Sequence, residues 1–397
     1  MVGVRDQYEA FPYPARDPRD EAKRLITGSP SLPAEMDHHI WAGQRDWSRT
    51  LRVLFAGGGT GDGLVQLAQH LHSAGRPYEI TYLDLSAASR KVAEARIAAR
   101  KLPDVTFHTG SLLDAGDHGT FDYIDCCGVL HHLPDPAAGL RALGAALAPD
   151  GGLGFMVYAP YGRSGVYPLQ AAFNRLYGHL PAKSMLRQAK AAMKTVPASH
   201  PLNRNPVVGD HKQSDAGFYD LLLHSQDRAY TIGEWIATLE ETGWHLAGMA
   251  QEGLYDLAGL VDPPEGMDKV ARMTTAEELR GFIKTHVGYA RRAPGPTVAD
   301  IPLRDRIPHL NGITAPVLAK AVATRSLRHL NVGPEKIGVA IPPEAAGLIA
   351  GIDGKTTVGA IMAGSGLGDD RVMRLWGKLQ SGLLPWGMLH YSMWRLH

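Results

Sequence analysis

From Val53 to Gly63 the chain reads VLFAGGGTGDG, an apolar run that breaks into closely spaced glycines. A turn without side chains, set between a buried strand and a helix, lets a ligand touch main-chain atoms directly. The dinucleotide pattern G-x-G-x-x-G does not fit, because the third glycine counted from Gly57 and Gly59 falls on Asp62. A phosphate loop is excluded as well, since no Gly-Lys-Ser/Thr follows. What stands is G-x-G-x-G at Gly57, Gly59 and Gly61. Further along, ITYLDLS carries Asp84, whose carboxylate can accept from both hydroxyls of a ribose. Ser111 and Leu112, in TGSLLD, offer a small polar edge and an apolar face suited to adenine. Histidines complete the set: His131 and His132 close another apolar run, and His224 bunches with Asp227, Arg228 and Tyr230 in DLLLHSQDRAYT.

Such groups need a frame, and the pattern between them supplies one. Strands are expected at Leu51–Ala56, Tyr78–Leu83, Val105–Thr109, Phe121–Gly128 and Leu153–Tyr158, with helices at Gly61–Ala74, Ser86–Lys101 and Pro136–Ala148. Strand–helix alternation argues for a parallel sheet covered on both faces, with ligands bound at the carboxyl ends of strands. Beyond Tyr158 the rhythm changes to helices at Ala171–Met193, Asp215–Leu223 and Ile232–Thr242, then a late strand within Trp244–Gly253. Three parts are expected: a loosely structured arm over 1–49 with one helix at Ala34–Ser48, a core over 50–255 with a helical insertion at about 161–230, and a mainly helical, winged-helix-like module over 256–397.

Taken together, the glycine turn, Asp84, the GSLLD stretch and VLHHLPDPAAGLRALGAALAPDGGLGFMVY resemble the class I S-adenosylmethionine-dependent methyltransferases over roughly Leu51 to Tyr158. The resemblance implies a doubly wound, mostly parallel α/β sheet of seven strands, the last antiparallel. It implies S-adenosylmethionine as cofactor and S-adenosylhomocysteine as product. Gly57, Gly59 and Gly61 would line the methionine and ribose, with Ala56, Leu85 and Gly128 beside them. Asp84 would take the ribose hydroxyls, and Ser111 with Leu112 the adenine. One departure stands out: the family usually carries an acid two residues before the first glycine, where this chain has Phe55. How the methionine end is held is therefore open.

Methyl transfer from a sulfonium is an in-line displacement, so the acceptor mainly has to be positioned, with a base where it arrives protonated. His132, Tyr158 and His224 are the catalytic candidates; Tyr161, Arg163, Asp227, Arg228 and Tyr230 are the acceptor-binding ones. The fourth strand ends in Cys-Cys-Gly-Val rather than Asp/Asn-Pro-Pro-Tyr, which disfavours base-amine chemistry of that type. In the arm, YEAFPYP suits a lid, with Tyr8, Phe11 and Tyr13 offering aromatic faces to a sulfonium. A similar Y-E-x-x-P-Y-P cluster precedes the core in some class I methyltransferases, including ones fused to peptide-repeat domains. IDGKTTVGAI, near the C-terminus, is similar to pieces of accessory domains in peptide-processing enzymes and bacterial protein lysine methyltransferases. These features favour a protein or peptide acceptor; a small molecule, or a S-adenosylmethionine-binding regulator without turnover, are the alternatives.

Composition narrows the partners. The formal net charge is +1, so no chain-wide field draws nucleic acid or membrane. One local exception is the stretch from Gly151 to Gly209, which lacks Asp and Glu; within it Lys183, Arg187, Lys190 and Lys194 share a helical face. That face is either simply solvated or a dock for an acidic protein or RNA, RNA being disfavoured because no stacking aromatics interleave with the four cations. Adjacent histidines lack ligand spacing, so no metal is expected. Cys126 and Cys127 are neighbours in a strand and point to opposite faces, which fits a reducing compartment. No run has the apolar length of a membrane span and no leader pattern opens the chain, so a cytoplasmic protein is expected. A homodimer is an open alternative to a monomer.

Overall fold

Residues 3–395 are described by the structure, a computed structural model. The expected strands form at Leu51–Ala56 (β1), Tyr78–Asp84 (β2), Val105–Thr109 (β3), Phe121–Cys127 (β4), Leu147–Tyr158 (β5) and His245–Met249 (β6). A further strand, Thr285–Arg291 (β7), completes one sheet in the order β3-β2-β1-β4-β5-β7-β6. β1 to β5 run parallel to one another, and β7 is antiparallel to both β5 and β6. This corrects the expected core boundary at residue 255. The sheet recruits its inner antiparallel strand from residues 285–291, beyond a helix that sequence pattern assigns to the next module.

Period-two patterning splits the core. On β1, Leu54 and Ala56 face one apolar layer, while Leu51, Val53 and Phe55 face the other. The first layer is covered by Pro136–Ala145 (α5, after α1 to α4 below) and a later helix, through Leu140, Leu143, Trp235 and Leu239. The second is covered by Asp62–Ser73 and Ala87–Ala99. In the former, Leu64, Leu67, Ala68 and Leu71 recur at helical spacing and are fully buried. Burial of each such leucine contributes roughly 1.5–3 kcal/mol.

In chain order the helices are Val4–Ala10 (α1), Pro33–Ile40 (α2), Asp62–Ser73 (α3), Ala87–Ala99 (α4), α5, then Val166–Tyr177 (α6), Ala182–Met193 (α7), Pro201–Arg204 (α8) and Asp215–Leu222 (α9) in the insertion. Ile232–Glu241 (α10) and Lys269–Arg280 (α11) flank β6 and precede β7. The C-terminal module follows, with helices Ala315–Ala323 (α12), Ala346–Ala350 (α13), Val358–Gly364 (α14) and Asp369–Leu383 (α15) around their own apolar cluster. It also holds an antiparallel hairpin, His329–Val332 with Glu335–Gly338.

The arm is not the loose segment expected, and its helix ends at Ile40 rather than Ser48. Met36, Ile40 and Trp47 enter the second core layer. Glu21 receives ion pairs from the fully buried Arg96 (2.6 Å) and from Arg100 (2.5 Å) on or just after α4. The carbonyl of Pro30 accepts from both Tyr123 Oη (2.8 Å) and Tyr289 Oη (2.7 Å), which clamps the arm against the sheet. Proline-rich, aperiodic sequence disguised this packing because the arm is stitched by side chains from the core instead of by its own repeat.

Beside that clamp lies Glu35, fully buried and accepting from Ser29 Oγ at 2.7 Å. Burial pushes its carboxyl up from an ordinary 4.5 to about 7. Between those values the folded state holds a proton that the unfolded state has released, so stability falls as pH rises through the window. Glu35→Gln keeps the acceptor for Ser29 and removes the ionisation. It is expected to raise the melting temperature at about pH 8 and to lose that advantage below about pH 5, read by circular dichroism. A pH-independent difference would assign the effect to packing instead.

Candidate active site

The turn after β1 is built for contact with backbone. Gly57, Gly59 and Gly61 have φ of 78°, 54° and 92°, the left-handed region that favours glycine. A Cβ on Gly57 would run into Val129, and one on Gly58 into Tyr82. Gly57 N–H and Gly58 N–H donate to Leu83 O at 2.7 and 3.3 Å, locking the turn to β2. α3 starts at this turn with no side-chain cap, so its first N–H groups face outward from the sheet end.

Asp84 sits at the carboxyl end of β2. Its Oδ2 accepts from Gly59 N–H and its Oδ1 from Ser86 N–H, both at 2.8 Å. Burial raises its pKa, and those two backbone donors oppose the rise. Ser111 caps the short turn Leu112–His118 by accepting from Leu113 N–H at 3.1 Å, leaving Leu112 buried against the same space. A cavity of about 710 Å³ connects these groups: Gly57, Gly59, Gly61, Asp84, Leu85, Ser111, Leu112 and Gly128 all line it, as does Tyr13 from the arm. Its size is that of a small-cofactor pocket. Ala56 does not reach it, because its side chain faces the core layer behind the sheet.

The same cavity is also walled by Tyr8, His132, Tyr158, Asp220 and Gln226. Tyr8 Oη donates to Asp220 Oδ1 at 2.9 Å and Tyr158 Oη to Asp220 Oδ2 at 3.1 Å. Burial pushes both phenols up, so each remains a donor, and burial likewise raises Asp220. The histidine tautomers follow from Gln226. His132 Nδ1 lies 3.0 Å from the carbonyl of Gln226, which can only accept, so that nitrogen carries the proton and Nε2 has a free lone pair. His224 Nδ1 accepts from Gln226 N–H at 3.1 Å, so its proton is on Nε2, 3.3 Å from Tyr8 Oη. The two imidazoles stack at 3.8 Å with a 14° angle.

His132, Asp220 and His224 are a group with metal-ligand spacing among the described residues, their ligand atoms within 4.8 Å of one another. A metal lies near the plane of each imidazole that binds it, about 2.0–2.1 Å from nitrogen. Two nearly parallel, stacked rings cannot both aim at one ion, and His224 Nδ1 is already engaged. The geometry suits a hydrogen-bonded relay.

Several expected acceptor residues stand elsewhere. Arg163 and Asp227 form a buried pair at 3.2 Å behind the wall; the guanidinium lies 3.5 Å from the Tyr158 ring centroid and so fixes that ring. Tyr161 is half-buried and turns toward Glu278 on α11, and Arg228 is exposed beside Glu234. Tyr230 packs into the core against Trp235. Phe11 stacks on Tyr219 at 5.0 Å, leaving Tyr8 and Tyr13 as the arm's aromatic contributions. His131 stacks on Tyr158 at 3.7 Å with neither ring nitrogen bonded, a packing role. Asp220, Gln226, Asp125 and Ser31 line the cavity without having been singled out. Only Asp220 left a trace, opening the DLLLHSQDRAYT stretch four residues before His224.

The sheet order, with a glycine turn after β1 and a carboxylate closing β2, is that of the class I S-adenosylmethionine-dependent methyltransferase fold. Residues 54–153 match the family described as methyltransferase domain. An uncharacterised protein of Synechococcus sp. is 32% identical over 238 residues, 58% of this chain and 56% of the relative. The ubiquinone biosynthesis O-methyltransferase of Albidiferax ferrireducens is 31% identical over 75 residues, 18% of this chain and 30% of that protein. The chain thus spans about half the length, or less, of these curated relatives. PKMT2 from Rickettsia typhi in complex with AdoHcy shares the fold at a TM-score of 0.63 and 15% identity, covering 91% of this chain and 75% of that one. That likeness extends past the core into the C-terminal module. No helix among the described residues is long and apolar enough to cross a membrane.

Removing the Asp84 carboxylate tests the pocket directly. Asp84→Ala is expected to weaken S-adenosylhomocysteine roughly tenfold, about 1.4 kcal/mol, by calorimetry. Unchanged affinity would place the nucleoside elsewhere.

Proposed function

We propose that the protein transfers a methyl group from S-adenosylmethionine to a nucleophile on a protein or peptide, with His132 taking the acceptor's proton. The observation carrying this reading is one cavity lined both by Asp84 and the glycine turn and by His132, Tyr158 and Asp220. S-adenosylmethionine, when bound, supplies an electrophilic methyl on a positively charged sulfur. The chain's own residues do the rest. Gln226 O holds the His132 Nδ1 proton, so Nε2 is the nitrogen able to accept one. Asp220, fixed by two phenols, offsets the charge that His132 then gains. Tyr8 and Tyr13 bring the arm over the cavity and exclude water.

A macromolecular acceptor is supported by the basic face of α7. Lys183, Arg187, Lys190 and Lys194 are all exposed there, although Lys190 is paired with Asp215 at 2.6 Å. α7 packs against α1, whose Tyr8 lines the cavity. A small-molecule acceptor is the second reading, favoured by how fully His132 and Asp220 are enclosed, at 6% and 3% exposure.

Labelled S-adenosylmethionine offered to a proteome and to a metabolite extract separates the two, and label in neither, despite tight binding, would indicate a regulator without turnover. His132→Ala is expected to lower kcat by about a hundredfold or more while S-adenosylhomocysteine affinity stays within about twofold. Wild-type turnover in that variant would exclude His132 as the base. Charge reversal at Lys183 and Lys194 together should slow a macromolecular acceptor roughly tenfold and spare a small one.

A further inference from the structure

The methionine end of the cofactor presents an α-ammonium, and β1 offers it nothing: Phe55, two residues before the first glycine, is apolar and buried in the second core layer. The neighbouring strand differs. Phe55 pairs in register with Asp125 on β4, and paired residues on adjacent parallel strands project to the same face, one strand spacing apart. Asp125 is 5% exposed, and that remnant opens on the cavity.

Three features leave this carboxylate waiting for a cation. Its donors are neutral: Ser31 Oγ, from the arm to Oδ2, and the backbone N–H of Cys127. No ion pair among the described residues includes Asp125: Arg16 and Arg96, the arginines at the glycine turn, both bind Asp62, and Arg96 also binds Glu21. A buried carboxylate without a cationic partner is costly, so a ligand that brings one gains from it. Space is kept beside it as well. A Cβ on Gly63, in the first turn of α3, would lie 3.1 Å from Phe55, 3.2 Å from Ser31 Oγ and 3.5 Å from Asp125 Oδ2. The arm is held rigid at this point by Gln66, which donates to Gly28 O (2.9 Å) and Ser31 O (2.7 Å).

We propose that Asp125, braced by Ser31, receives the α-ammonium of the cofactor's methionine end, replacing from β4 an acid that β1 lacks. This rests on the S-adenosylmethionine reading of the cavity. Recognition is thereby shared between the core and the arm, and it discriminates against adenosyl compounds that lack an amino-acid tail.

Three ligands test the assignment on the full chain by calorimetry: S-adenosylhomocysteine, its analogue with the α-amino group replaced by hydrogen, and 5′-methylthioadenosine, which lacks the tail. In wild-type protein, deamination should cost roughly tenfold or more, as loss of a charge-assisted hydrogen bond does. Asp125→Asn is isosteric and still accepts from Ser31. It should weaken S-adenosylhomocysteine by a similar factor and leave the other two ligands within about twofold. Equal wild-type affinity for S-adenosylhomocysteine and its deaminated analogue overturns the proposal, whether or not the variant folds. So does a folded Asp125→Asn that weakens all three alike, which would make the residue a prop for the pocket. If none of the three binds wild-type protein, the cofactor reading itself fails; if all bind and deamination is neutral, only Asp125 is misassigned.

Discussion

One carboxylate organises the cofactor end. Asp84 joins Gly59 N–H on the glycine turn to Ser86 N–H at the entry of α4, so two loops from different strands are held at a fixed separation. Hydrogen bonds from backbone amides to a buried carboxylate are among the stronger polar contacts available to a protein. Asp84 therefore acts first as a structural tie, with lone-pair capacity left toward the cavity. The glycines complete the arrangement by exclusion. Since Val129 and Tyr82 fill the space where side chains at Gly57 and Gly58 would go, the turn can neither shift nor tolerate a larger residue without reshaping the fourth strand's exit. A pocket made this way reorganises little on binding, which is where affinity is gained.

The arm supplies what the sheet cannot. Three of its residues line the cavity: Tyr8 from α1 beside Asp220, Tyr13 beside Gly59, and Ser31 at Asp125. Each contact is backed by an anchor some distance away. Thr60 Oγ1 donates to Pro14 O at 2.7 Å, Glu9 accepts from Ala87 N–H at 2.6 Å, and Glu21 binds Arg96. α1 consequently spans from the entry of α4, beside Asp84, to Asp220 on α9. The same helix touches both the element that follows Asp84 and the one that carries Asp220.

What sequence made visible was local. Each cofactor element is a short motif at one strand end, so its spacing survives in the linear chain, and Gly57, Gly59, Gly61, Asp84, Ser111 and Leu112 all meet at one cavity. What it hid was tertiary. Asp125 sits inside an apolar run and gains meaning only from register with Phe55. Gln226 acts through its backbone, which no residue type announces. Arg228 and Tyr230 lie in the right segment, yet the chain direction after His224 sends one to solvent and the other into the core. β7 was missed because the sheet bypasses one whole helix, α11, before taking its inner antiparallel strand.

Near the middle of the arm, Asp37 is almost wholly buried and accepts from Arg45 N–H (2.9 Å), Ser392 Oγ (2.6 Å) and Met393 N–H (3.0 Å). Its neighbour His38 accepts from Tyr391 N–H at 2.9 Å. The arm and the last described residues are thus buckled to each other on one face of the sheet. The arm and the C-terminal module therefore share one buried carboxylate, so loosening the end of that module would strip Asp37 of two of its donors and loosen the arm helix that carries it.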